Sequence, residues 1–183
     1  MGFGECSVSG PGGESVRLDS FWAERDAVLV FVRHFNCAGC REHVRELVPR
    51  LAELERLGVT TVIIGNGSVA QLEDFIAAEK LAGHPVKVMT DPSLAAYQSA
   101  SLSRSVMGSI GPRAIGKLAV LMARGYATGR ACGDLYQQGG TIYVQRGGKI
   151  VFEHHSQRIG DNASIDDVVQ LALAARASAV GVT

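Results

Sequence analysis

The chain has no net charge to spend on long-range attraction: 18 Lys and Arg stand against 18 Asp and Glu in 183 residues, and the pI is near 7.0. A global basic field that would draw nucleic acid or an acidic membrane surface is excluded. No unbroken apolar run approaches the roughly 20 residues that span a bilayer, so neither nucleic acid nor membrane is an expected partner. Met1-Gly2-Phe3-Gly4-Glu5-Cys6-Ser7 has no basic start, no apolar secretory core and no basic amphipathic transit pattern. The expected location is cytoplasmic, where thiols stay reduced. Internal repeats, low-complexity tracts and linkers are also lacking. With 46% hydrophobic residues, a single domain over 1–183 with its own core is expected, led by an N-terminal segment, 1–26.

One local absence is informative. Residues 92–133 contain no Asp or Glu but carry Arg104, Arg113, Lys117, Arg124 and Arg130. A solvated basic face accounts for most of these. The sharper reading is a wall for anionic or peroxidic substrates, with one arginine near a thiolate.

Cysteine is scarce as well, with four residues, and only one Cys-x-x-Cys occurs: Cys37-Ala38-Gly39-Cys40. It follows Ala27-Val28-Leu29-Val30-Phe31-Val32, an apolar run without alternation that predicts a strand buried on both faces. A helix is predicted over 38–57, where Val44, Leu47, Val48, Leu51, Leu54 and Leu57 recur at threes and fours, kinked at Pro49 and ended by Gly58. Val59–Ile64 predicts a second buried strand, Ser68 caps a helix over about 69–81, and Val86–Met89 predicts a third strand. Asp91-Pro92-Ser93 opens a short helix through Tyr97. Residues 101–134 are interrupted by glycines, with room for a helix at 113–124. Val16-Arg17-Leu18 suggests an edge strand and Ser20–Ala23 a capped turn. A hairpin over 141–145 and 149–153 turns at Arg146-Gly147-Gly148, and Ser164 caps a final helix to Ala179. Strands alternating with helices argue for parallel pairing with right-handed crossovers. The plan is an α/β, thioredoxin-like fold: a central mixed sheet with helices on both faces.

A dithiol where a buried strand meets a helix suits thiol redox chemistry. Free N–H groups and the partial positive charge at the helix start favour thiolate over thiol. Cys37, at the helix start, is expected to be the more exposed sulfur and the nucleophile; Cys40 resolves. A peroxide would take Cys37 to a sulfenic acid and then to a disulfide, whereas a disulfide substrate would pass through a mixed disulfide. Arg33, four residues before Cys37, either stabilises the thiolate or leaves the strand for solvent. His34, Cys37, Cys40 and His43 form a legitimate zinc set by residue type; strand-end and mid-helix positions argue against it. His43 is expected on a solvated helix face, and His34 in a structural role. Cys132 reads as a small buried hydrophobe and Cys6 as a disordered thiol. The adjacent His154 and His155 read as surface and packing residues.

Phe31-Val32-Arg33-His34-Phe35-Asn36-Cys37-Ala38-Gly39-Cys40-Arg41 resembles the redox-motif segment of the peroxiredoxin-like proteins. These belong to the alkyl hydroperoxide reductase/thiol-specific antioxidant group within the thioredoxin-like superfamily, which includes prostamide/prostaglandin F synthase. Two further blocks match in order: Gly133–Gly140, then Gly147-Gly148-Lys149 with Val151–His154 and Gly160-Asp161. The resemblance spans about 25–175. It implies a thioredoxin fold and no cofactor. It also implies reduction of peroxides, endoperoxides or disulfides with an external thiol donor of thioredoxin or glutathione type. Cys37 and Cys40 carry over as the redox pair, and Arg33 as the motif's arginine. Peroxiredoxins proper carry Pro-x-x-x-Thr-x-x-Cys. Matching that cysteine to Cys40 puts Cys37 on the Thr and Arg33 on the Pro, so the two alignments differ over which sulfur reacts first. Gly140-Thr141 stands where thioredoxins carry a cis-proline and Thr, and Gly140 is expected to let backbone approach the sulfurs. No motif matches in 95–130, so a prostaglandin substrate is not implied. The competing readings are a protein disulfide reductase and a non-catalytic redox-sensing or zinc-binding module on the same scaffold.

Overall fold

The computed structural model describes residues 2–126 and 132–180; Gly129 and Arg130 lie outside them. The apolar run becomes β3 (Asp26–Phe31) at the heart of a seven-stranded sheet. Around it stand β1 (Ser7–Ser9), β2 (Ser15–Arg17), β4 (Val59–Gly65), β5 (Lys87–Thr90), β6 (Gly140–Val144) and β7 (Ile150–His155), in the order β2-β1-β5-β4-β3-β6-β7. The sheet is mixed: β3 runs parallel to β4 and β4 to β5, while β6 is antiparallel to β3 and β7 to β6.

The lack of alternation in β3 has its physical reason here. Val28, Val30 and Val32 face one core, with Val44, Leu47, Leu51, Leu54, Leu72, Phe75, Val168 and Val169 from helices. Ala27, Leu29 and Phe31 face the other, with Leu18, Trp22, Ala96 and Tyr97. Both sides of the strand are covered, so every position must be apolar. The helices are α1 (Ala38–Leu47), α2 (Leu51–Arg56), α3 (Val69–Ala78), α4 (Ala95–Ser99), α5 (Val106–Ile110), α6 (Pro112–Ala123) and α7 (Ile165–Val180). The thioredoxin-like plan holds, with helices on both faces of a mixed sheet.

Pro49 does what its chemistry dictates: a short 3-10 turn, Val48–Arg50, separates α1 from α2. Ser68 accepts from the Gln71 amide, and Gln71 returns a bond to Ser68, a reciprocal cap on α3. That helix stops at Ala78, short of 81, because Lys80 turns to positive φ (55°).

The lead-in segment is more structured than its sequence suggests. Residues 7–17 form a β-hairpin that adds two strands to the sheet through β5. Cys6, expected to be disordered, is buried in the second core and bonds Ser99 Oγ at 3.3 Å. Val106–Ala123 also departs from expectation, being long and apolar enough by composition to cross a membrane. It is broken at extended Gly111 into α5 and α6 and folded against the α1 end of the molecule. Lys117 and Arg124 pair with buried Glu42 of α1 at 2.8 and 3.1 Å, and Ala114 and Leu121 pack toward Ala38.

Candidate active site

The end of β3 sets the cysteine pair. Val32 N–H still donates to Ile64 at 2.8 Å, and the hydroxyl of fully buried Tyr97 donates to the carbonyls of Val32 (2.6 Å) and Ile64 (2.9 Å). These bonds clamp β3 to β4 where the chain leaves the sheet. The next turn is closed by Cys37 N–H on His34 C=O at 3.1 Å, under Phe35. The Phe35 ring fills the space above Gly65 and Gly67 that a side chain at either position would need. Cys37 is extended (φ −76°, ψ 119°) and stands at the N-cap of α1; Cys40 is one turn in.

Both thiols are free and close enough for each to shift the other's charge state. Neither is open to solvent: Cys37 is 3% and Cys40 6% exposed, so the greater exposure expected for Cys37 is not found. What separates them is charge. The Cys40 thiol hydrogen-bonds the Cys37 sulfur and pulls the Cys37 pKa from 9.0 down to about 6; burial opposes this, and Arg33 and the amides of Cys40 and Gly39 assist. The same contact, with burial, drives Cys40 well above the ordinary thiol value. Arg33 N–H donates to Cys40 Sγ at 3.2 Å.

Arg33 is buried beside the thiolate and does not leave for solvent. Its Nη1 lies 3.8 Å from Cys37 Sγ. The rest of its fork is pinned: Nη2 donates to Ser109 Oγ (2.6 Å) and Leu135 C=O (2.7 Å), and Nε to Gln137 C=O (3.3 Å). Among the described residues no carboxylate pairs with it. Of the basic residues in 92–133, Arg104, Lys117 and Arg124 are taken up by Asp134 and Glu42. The thiolate's arginine therefore comes from the motif itself.

The sequence did not single out the residues that hold Arg33. Asn66 Nδ2 donates to Arg33 C=O (2.7 Å) and Asp134 C=O (3.3 Å). Gln138 Nε2 bonds Ser109 Oγ at 3.1 Å and the Ser105 carbonyl at 3.2 Å. The signal for Gln137 and Gln138 was their place in the Gly133–Gly140 block; Ser109 and Asn66 left none. Gly140 lines one small cavity with Cys40. A side chain there would meet the His154 carbonyl and Leu102, so its smallness serves strand pairing.

His34 and His43 are both buried, which overturns the solvated placement of His43; burial lowers each to about 4 and keeps it neutral. No three His, Cys, Asp or Glu converge as metal ligands among the described residues, so His34, Cys37, Cys40 and His43 do not assemble the zinc set. Cys132 is buried in the core cluster that also holds Cys37, in line with its reading as a small hydrophobe. His154 is half-buried and pairs with Asp161 at 3.3 Å.

A thioredoxin-like fold with a buried, charge-polarised cysteine pair defines a thiol oxidoreductase scaffold. The AhpC/TSA antioxidant enzyme family matches residues 46–158, a stretch that begins just after the pair. Peroxiredoxin-like 2C of Homo sapiens is 33% identical, covering 91% of this chain and 77% of the relative. Prostamide/prostaglandin F synthase of Pongo abelii is 32% identical, covering 87% and 81%. Among solved structures, Xanthomonas campestris peroxiredoxin Q superposes with a TM-score of 0.64 at 15% identity, covering 96% of this chain and 92% of the other. A secreted Mycobacterium tuberculosis disulfide oxidoreductase gives 0.58 at 14%, covering 94% and 97%; at such identities the likeness is one of fold. The chain belongs to the AhpC/TSA antioxidant enzyme family, in its peroxiredoxin-like branch.

Proposed function

We propose that this protein reduces peroxides through a Cys37–Cys40 dithiol/disulfide cycle, recharged by an external thiol of thioredoxin or glutathione type. The carrying observation is Arg33: a buried guanidinium with no carboxylate partner among the described residues, 3.8 Å from the sulfur whose thiolate is favoured. In the first step the Cys37 thiolate attacks a peroxide oxygen. The O–O bond breaks, the sulfur becomes a sulfenic acid, and the departing alkoxide takes a proton. In the second step Cys40 attacks the oxidised sulfur, the S–S bond forms, and hydroxide leaves to become water. Arg33 fits the first step twice, holding the thiolate and stabilising negative charge on the departing oxygen.

Access requires local opening, because both sulfurs are covered. The five-residue α5 that presents Ser109 to Arg33 leaves Val106, Met107 and Ile110 exposed, so little burial energy holds it down. Beside it runs a groove of about 390 Å³ lined by Met107, Pro112, Arg113, Ala114 and Arg158. The groove supports a peroxide with an apolar body rather than hydrogen peroxide alone.

The test is brief peroxide treatment of wild type, Cys37→Ser and Cys40→Ser, followed by mass spectrometry. A sulfenic acid trapped on Cys37 in the Cys40→Ser protein, and an internal disulfide in wild type, are expected. Oxidation of Cys40 in the Cys37→Ser protein, with none in the converse variant, reverses the two roles. Absence of reaction with any peroxide, alongside rapid exchange with glutathione disulfide, replaces the proposal with disulfide reduction.

A further inference from the structure

His43 is buried on the inner side of α1. It is 3% exposed, and among the described residues neither ring nitrogen has a hydrogen-bond partner. Glu46 Oε2 lies 4.0 Å from Nδ1. An unpaired polar group in such a place costs stability. The position is informative because His43 lies three residues after Cys40, on the same face of the helix. The two residues line one small cavity of about 10 Å³, together with Thr141, Ser156 and Asn162. The cavity mixes polar and apolar lining, Val30 and Val32 among the latter, and is about the size of one water.

Resting on the dithiol cycle proposed above, we propose that His43 is the proton acceptor for Cys40, taking its thiol proton across this cavity as Cys40 attacks oxidised Cys37. The proton balance of the second step calls for such a group. Cys40 enters as a thiol and leaves as one half of a disulfide; its proton must go to a base, and the departing hydroxide collects a proton to become water. Before oxidation the Cys37 thiolate holds the Cys40 proton in place. Once Cys37 is a sulfenic acid that anion is gone. The Arg33 N–H, 3.2 Å from Cys40 Sγ, and the Arg33 charge then favour a Cys40 thiolate. Negative charge growing there raises the basicity of the adjacent imidazole, which starts neutral.

His154 of β7, whose Nε2 lies 3.3 Å from half-buried Asp161, disfavours the charged form of His43 at rest. The charged and titratable groups around His43 are Cys40, Glu42 and Glu46 on α1, Arg33 at the end of β3, His154 on β7, and Arg158 and Asp161 beyond it.

The test separates the two steps in single-turnover, rapid-quench experiments on the full chain, using cumene hydroperoxide and two variants, His43→Gln and His43→Phe, checked for folding by circular dichroism. Sulfenic acid formation on Cys37 is expected to proceed at the wild-type rate. Closure of the Cys37–Cys40 disulfide is expected to slow about 100-fold at neutral pH, with the deficit shrinking as pH rises and hydroxide takes over. Unchanged closure in either folded variant overturns the proposal, as does a parallel slowing of both steps at every pH, which is the signature of a packing role. If wild type itself forms no Cys37–Cys40 disulfide, the dithiol cycle fails and the proposal falls with it.

Discussion

At the scale of single residues, the site is a matter of one charge of each sign in a water-poor place. Cys37 is held toward the thiolate by the Cys40 thiol and by Arg33, so its reactivity should outlast acidification that silences an ordinary cysteine. Limited alkylation of the reduced protein, read by peptide mapping, is expected to show Cys37 modification rising with pH through a midpoint near 6, with Cys40 unreactive at neutral pH. Arg33→Met removes the compensating charge and moves the midpoint up; at pH 7 Cys37 alkylation should fall on the order of tenfold. An unchanged midpoint would leave Arg33 a purely structural residue. The sequence made Cys37, Cys40 and Arg33 legible because they are spaced within one short segment. It could not disclose what holds Arg33, because Ser109, Leu135 and Gln137 lie 76 to 104 residues away. Their contribution is mostly backbone carbonyl, which no residue type advertises. His43 was misplaced for a related reason. A histidine on a helix reads as polar, and its burial, beside a cavity shared with β6 and the 156–162 loop, is a matter of tertiary packing.

At the scale of elements, legibility followed burial. Strands β3 and β4 announce themselves because apolar side chains are needed on both faces, and Pro49 breaks its helix where its ring must. β2 starts one residue before the edge strand expected at Val16-Arg17-Leu18, whereas β1 has only three residues that mix polar with apolar, so periodicity has nothing to grip. α5 escaped because Val106, Met107 and Ile110 face outward, the reverse of an amphipathic helix seated on a core. The junction between the Gly133–Gly140 block and β3 is tight enough to test. A side chain at Gly139 would run into the Phe31 carbonyl, and Gln137, two residues earlier, accepts from Arg33 Nε through its backbone carbonyl. Gly139→Ala is expected to cost about 1–3 kcal/mol in urea unfolding and to weaken Cys37 alkylation at neutral pH. An unaltered denaturation midpoint would mean that the strand shifts without penalty.

At the scale of the whole molecule, buried histidines couple the fold to acidity. His34 and His43 have folded-state values of about 4, against 6.5 without burial. Between those values the unfolded chain binds more protons, so stability, complete above 6.5, falls as pH drops toward 4. Each histidine accounts for roughly 3 kcal/mol across that window. Urea midpoints measured in a Cys37→Ser background, where no thiolate titrates, should decline steadily from pH 7 to 4. His43→Phe should flatten about half of the decline, and a flat profile in the parent would show that neither imidazole is neutral in the native state. The Arg33 charge beside Cys37 also bears on electron flow. A guanidinium that favours the thiolate favours the dithiol over the crosslinked form, which has no negative charge to offer it. On the proposed cycle the couple is therefore poised toward less negative reduction potentials, drawing electrons from a reducing pool more readily than it donates them to a stable disulfide.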